Sequence, residues 1–399
     1  MTTWKTVKFG DIVRQVKDKV DPKQSGLERF IAGEHMDTDN LHIRRWGTIG
    51  DNYLGPAFHM RFKPGQVLYG SRRTYLRKVA FADFEGITAN TTYVLESKDS
   101  DVLLPELLPF IMQTDSFNDH SIKQSKGSVN PYINFSDIDW YEFPLPPLDE
   151  QRRIADLLWT ADDVVTNYQD ILERTQLLKK SAVHEYTQKS QITKKLKDTE
   201  FGELPETWFV EPLGNVLGAV QYGLSMPLYE KGKYPVFRMM NIIDGKMVAN
   251  DMKYIDLSDN EFRTYKANKG DILFNRTNSA DLVGKLGIFD LDGDYVFASY
   301  LIRLVAKRNM ILPEYLNFYL NSKEGQRRIL AFATAGVSQT NINASNVQKV
   351  LVPIPPVAEQ NKIVSRLKQI DDSKQAIIEH IENSQKLKKQ LLSKFLGKE

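Results

Sequence analysis

Residues 143–158 read FPLPPLDEQRRIADLL, and residues 352–367 read VPIPPVAEQNKIVSRL. An apolar-Pro-apolar-Pro-Pro run, then Glu-Gln, then a basic helical stretch recurs from position 143 to position 352, an offset of 209. A fixed internal period is the most informative feature a chain can carry, because it dictates the fold as a set of copies. The likeness extends outward from these segments. Leu104-Pro105-Glu106 is matched by Leu312-Pro313-Glu314, Gly127 and Asn134 by Gly336 and Asn343, and Asp162-Asp163 by Asp371-Asp372. Upstream, GQVLY (65–69) resembles GDILF (270–274), and Trp4 with Phe9-Gly10 resembles Trp208 with Leu213-Gly214. There the offset slips to 204–205, as loops of unequal length require. The chain is an internal duplication.

Each copy has the same order. First comes a mixed segment whose short apolar runs (VLY, YVLE, DILF, YLIRLV) are punctuated by Gly, Pro, Asn and Asp, which are strand and turn signals. A long helix follows. The proline pairs 146–147 and 355–356 suit its first turn, where a missing N–H costs nothing. Glu150 and Glu359 sit at the positive end of the helix dipole. Ile154, Leu158, Ala161, Val165, Tyr168 and Leu172 are spaced 4, 3, 4, 3, 4. Ile363, Leu367, Ile370, Lys374, Ile377, Ile381 and Leu391 keep the same frame. This is the coiled-coil repeat, with Thr175, Lys374 and Ser384 as polar interruptions. Residues 149–188 span about 60 Å as a helix.

The expected fold is therefore mixed α/β (α+β), with pseudo-two-fold symmetry: two duplicated domains separated by two long antiparallel coiled-coil helices. The expected boundaries are 1–145 for the first domain, 146–198 for the central helix, 199–352 for the second domain and 353–399 for the C-terminal helix. The charged stretch QITKKLKDTEFGELPETW (191–208) reads as a domain boundary.

Composition narrows the function. Of the 399 residues, 41% are hydrophobic and 26% charged, and the net charge is only +2, so attraction to nucleic acid has to be local. There is no cysteine, hence no disulfide or thiolate chemistry. The first residues carry no signal-peptide pattern, and a cytoplasmic location is expected. Two similar heads on helices of fixed length suit a ligand with its own repeat, and double-stranded DNA is the obvious one.

Residues 61–80 hold six basic residues and no acidic one. Within them Arg72, Arg73, Arg77 and Lys78 surround Tyr75, a grouping suited to phosphate neutralisation and to guanine edges. Lys126, Ser128, Asn130 and Asn134 lie in a Gly-containing turn within residues 121–135. The second copy offers Asn275, Arg276, Asn278 and Lys285 for the first group, and Ser338, Gln339, Thr340, Asn341 and Asn343 for the second. Catalytic signatures are missing. LPPL (145–148) and IPPV (354–357) lack the polar residue and the aromatic of an amino-methyltransferase motif. Gly284-Lys285 is followed by Leu rather than Ser or Thr, so no phosphate-binding loop is complete. Asp83 with Glu96-Ser97-Lys98 imitates a nuclease site, but the second copy lacks it.

The plan resembles the specificity subunits of type I restriction-modification systems. The resemblance is carried by PLPPLDEQRRIADLL, PIPPVAEQNKIVSRL and FGELPETWFVEPLG (201–214), and covers nearly the whole chain. It implies two target-recognition domains, each reading half of a bipartite DNA target, with the helices setting the spacer. It implies assembly with two methyltransferase subunits and two restriction/translocase subunits, which would bring S-adenosylmethionine, ATP and Mg. This chain would be non-catalytic and hold no cofactor. Gln151, Arg152, Gln360 and Lys362 are candidates for the partner interface. Two alternatives are a self-contained DNA-modifying enzyme and a coiled-coil scaffold joining two protein-binding heads.

Overall fold

The computed structural model describes residues 4–50, 54–189, 193–279, 282–335 and 339–397. Positions 190–192 and 398–399 of the expected helical segments lie outside them. The chain divides into two compact units, 1–170 with 378–399, and 171–377. Each unit holds one head, part of its own helix and part of the other.

In the first unit, strand Lys5–Lys8 pairs antiparallel with Glu142–Leu145, so the head is closed where it opens. A four-stranded antiparallel sheet runs in the order 13–16, 92–97, 67–70, 79–81. Side chains alternate across a strand, and the run Val67-Leu68-Tyr69 feeds two cores. Val67 and Tyr69 pack with Phe110, Met112 and Phe117 of helices Leu108–Gln113 and Asp115–Lys123. Leu68 points the other way, to Ile31 and Phe62. These belong to a second sheet, ordered 47–48, 29–31, 86–89, 58–62.

The second unit repeats this plan on its own residues. Phe209–Pro212 pairs antiparallel with Leu351–Ile354. Ile272 and Phe274 face Tyr315, Tyr319 and Ile329 of helices Pro313–Leu320 and Lys323–Leu330, while Leu273 faces Phe237 and Phe289. Gly65 and Gly270 open the duplicated strands with φ of +84° and +92°, a backbone that glycine adopts without a Cβ clash. The charged stretch before this head is more ordered than its composition suggests. Leu196–Thr199 and Gly202–Pro205 form a hairpin, because Leu204 buries completely and Phe201 lies under the Arg328 guanidinium at 3.4 Å.

The twice-written segment is a knot that ties each head to its helix. The first long helix is Leu148–Gln188 and the second is Val357–Leu396. In the first unit, Trp4 Nε1 donates to Glu150 Oε2 at 3.1 Å. Gln151 Oε1 accepts from the Leu104 amide at 2.9 Å, and its Nε2 donates to the Val102 and Pro146 carbonyls, both at 2.9 Å. In the second, Trp208 Nε1 donates to Glu359 Oε2 at 3.0 Å. Gln360 Oε1 accepts from the Leu312 amide at 2.7 Å, and its Nε2 donates to Met310 (2.9 Å) and Pro355 (2.8 Å) carbonyls. Gln151 and Gln360 are 1% and 0% exposed. They hold the fold, which corrects their expected place on a partner surface. Arg152 and Lys362 are exposed.

Within each unit the helix segments run antiparallel. In the first, Ile154, Ala155 and Leu158 share a core with Leu392 and Leu396, and Tyr168 stacks on His380. Asp162 is buried against Lys388. In the second, Lys179 pairs with Asp371, and Tyr186 lies under Arg366. Moving Asp162 and Lys179 by 209 positions gives Asp371 and Lys388. The two ion pairs are therefore one pair, written twice.

Candidate nucleic-acid interface

In each head the two polar loops singled out from the sequence come together. In the first, the Ile133 amide donates to the Ser71 carbonyl at 3.0 Å and the Arg73 amide to Pro131 at 2.7 Å. Arg72 and Tyr132 form a β-bridge, and the Arg72 guanidinium lies 4.8 Å from the Tyr132 ring centre. In the second, the Ile342 amide donates to Arg276 at 2.9 Å. Thr277–Asn278 and Thr340–Asn341 pair as antiparallel strands, with a third at Thr334–Ala335. Position by position, Arg72, Arg73, Asn130 and Tyr132 of the first head correspond to Thr277, Asn278, Gln339 and Asn341 of the second.

Arg72, Arg73, Tyr75, Ser128 and Asn130 are exposed at the first loop pair. Arg73 Nε donates to Asn130 Oδ1 at 3.2 Å. Both Arg73 and Arg77 have positive φ, +51° and +49°. Non-glycine residues adopt that backbone sparingly, and it gathers at functional turns.

Three basic residues expected here bond within the head. Arg77 bonds Asp39 at 2.7 Å, Asp115 at 2.8 Å and the Gln113 carbonyl at 2.7 Å. Burial pushes its guanidinium down, but the two carboxylates outweigh burial and leave it raised. Lys78 donates to the Gly33 carbonyl. Lys126 pairs with Asp137 at 2.8 Å, and that hydrogen bond holds the Asp137 carboxyl below its ordinary value. Asn134 opens helix Phe135–Asp139, where its amide donates to Asp137 Oδ2 at 3.1 Å. Asn343 caps helix Ala344–Gln348, accepting from the Asn346 amide at 2.8 Å. The asparagines that recur at an offset of 209 are thus helix starts.

In the second head, Asn275 is buried and donates to the Leu282 carbonyl at 3.0 Å. Arg276 is half-buried over Tyr222, at 5.1 Å from its ring centre. Asn278 Nδ2 contacts Met239 Sδ at 3.1 Å. Thr277 Oγ1 donates to Asn341 Oδ1 at 2.5 Å. Lys285 and Gln339 are exposed, and Thr340 is half-buried. Ser338, with Gly336, lies outside the described residues. Sequence reading missed Tyr132 and Tyr222, the rings on which Arg72 and Arg276 rest. The aromatic in PYINF was the available signal for the first. Among the described residues, no cluster of His, Asp and Glu side chains could hold a metal ion. No helix among them is long and apolar enough to cross a membrane.

Residues 1–175 and 205–386 match the family described as the type I restriction modification DNA specificity domain. Among curated relatives, a chain assigned as the type I restriction enzyme MjaX specificity subunit of Methanocaldococcus jannaschii is 30% identical over 51% of this chain and 48% of its own length. The type I restriction enzyme EcoKI specificity subunit of Escherichia coli K12 is 28% identical over 67% of this chain and 60% of its own. The match therefore spans about half to three-fifths of those two relatives. The MjaVIII specificity subunit of M. jannaschii is 24% identical over 98% of this chain and 92% of its own. Among solved structures, the S subunit of a type I restriction-modification system from M. genitalium has the same fold. Its TM-score is 0.60 at 14% identity, covering 99% of this chain and 96% of that one. A chain from a structure of type I R-M complex assembly gives 0.59 at 20% identity, covering 100% and 98%.

Proposed function

This chain belongs to the type I restriction-modification DNA specificity family, and from that premise we propose that it is the sequence-reading subunit of such a system. Each head binds one half of a split duplex target. The long helices set the gap between the halves and dock two methyltransferase subunits, and two restriction/translocase subunits complete the assembly. S-adenosylmethionine, ATP and Mg belong to those partners. The chain works in the cytoplasm and supplies no catalytic residue.

One observation carries this reading. Both heads zip the same two loops together by the same backbone bonds, yet the polar side chains presented there differ. A duplicated framework with unlike presented chemistry suits two readers of two unlike sequences. Base edges are read by side chains of fixed donor and acceptor pattern, while phosphate contacts only position the protein. The exposed Lys123 and Lys285 suit the second task.

Binding of duplex DNA by this chain with its methyltransferase partners tests the proposal. Affinity for one split sequence should exceed that for random duplex by about a thousandfold or more, and both affinities should fall steeply with salt. Binding indifferent to sequence and to salt would reject it.

A further inference from the structure

We propose that the zipped loop pair is the base-reading element of each head, with the first head reading guanine through Arg72 and Arg73. The second head reads adenine through the amides of Gln339 and Asn341. The inference rests on the DNA-recognition reading above and goes beyond it in naming the bases and the residues.

Ser71 and Arg276 accept the amides of Ile133 and Ile342, both fully buried, so the loops are anchored identically. Just after each anchor a helix begins at an asparagine, Asn134 or Asn343. Across the zipped pair between these fixed points the presented groups differ. The first head shows guanidinium groups, which donate and never accept. Guanine is the base whose major-groove edge offers two acceptors, O6 and N7. The second head shows amides, each with a donor and an acceptor, and adenine offers N7 with N6–H.

The side chains are also held in place. Arg72 lies over the Tyr132 ring at 4.8 Å. Arg73 spends Nε on Asn130 at 3.2 Å, which orients its fork. Its strained φ of +51° sets the direction in which the side chain leaves the loop. Asn341 is fixed by Thr277 at 2.5 Å. A held planar group discriminates better than a mobile one, since less freedom is lost on contact.

The test uses the complete complex with its methyltransferase partners and a duplex panel in which each half-site base is varied in turn. Arg72→Gln and Arg73→Gln should each lower the preference for guanine at one position of the first half-site by about tenfold or more. The second half-site should be unchanged, which also shows that the variant has folded. Gln339→Glu, which turns an amide into a pure acceptor, should move a preference in the second half-site from adenine toward cytosine. Even weakening on every sequence, with both half-site preferences intact and a shallower salt slope, would make these residues phosphate contacts and overturn the inference. Unchanged preferences would overturn it too. In both cases wild-type discrimination would leave the DNA-recognition reading standing, whereas wild-type indifference to sequence would remove that reading itself.

Discussion

Gln151 and Gln360 show how differently a residue reads in a string and in a fold. On a basic helical run, Gln beside Arg or Lys looks like a solvated face. In the structure each amide satisfies one backbone N–H and two carbonyls of its own head. Two of each three lie 47–50 residues upstream, beyond any local pattern, and the third is a proline carbonyl five residues before the glutamine. Gln360→Ala leaves three groups unpaired, one buried and two partly buried, and should cost about 2–3 kcal/mol, read from denaturant unfolding of the second unit. Gln151→Ala should do the same in the first. The arginines divide in a similar way. Arg77 is committed to Asp39, Asp115 and Gln113, so Arg77→Ala should lower the thermal midpoint by about 2–4 °C, equivalent to roughly 1 kcal/mol. Arg73→Ala, which loses only an exposed contact to Asn130, should leave the midpoint within about 1 °C on the same scale. Nothing in SRRTYLRK distinguishes these arginines, because the carboxylates that claim Arg77 come from the loop at Asp39 and from the start of helix Asp115–Lys123.

Elements were more legible than residues. The 4-3 spacing from Ile154 and from Ile363 announced both helices, and period-2 strands explain why VLY and ILF are apolar throughout, being covered on both faces. The seam's ion pairs were hidden. Lys388 sits in the run KLKK and looks solvated, yet it is 9% exposed and meets Asp162, 226 residues away. His42 Nε2 also lies 2.7 Å from Asp162 Oδ2, although the two atoms are not aligned for a hydrogen bond. Burial pushes the Asp162 carboxyl up, but His42 and Lys388 outweigh it and hold it below the ordinary range. A carboxyl lowered on folding stabilises fully above its unfolded value, about pH 4, and loses that contribution as acid carries pH down through the folded value. The stability of wild type relative to Asp162→Asn should therefore be constant above about pH 4 and shrink below it, measured by chemical denaturation across that range. Lys388→Ala should cost about 3 kcal/mol by leaving a buried carboxylate, and the double change Asp162→Leu with Lys388→Met should recover most of it. An unchanged stability in Lys388→Ala would show that the pair does not hold the seam.

For the molecule as a whole, duplication was the legible fact, because two copies of FPLPPLDEQ and VPIPPVAEQ keep their spacing where framework is constrained. The target bases were not legible. They depend on loops that share a backbone and differ in chemistry, and on which side chains that backbone leaves exposed. If helix length sets the gap between half-sites, a seven-residue insertion at equivalent positions of both helices adds about 10 Å, the rise of about three base pairs at 3.4 Å each. The preferred spacer should lengthen accordingly while both half-sites stay the same. An unchanged spacer would show that the helices are not the ruler. The most direct test of the central claim is a map of DNA methylation across the source genome with and without this chain. The account predicts the loss of one split motif, two short unlike half-sites around a fixed gap, with all other methylation unchanged. Disappearance of a single continuous motif instead, one undivided site with no fixed gap, would contradict it.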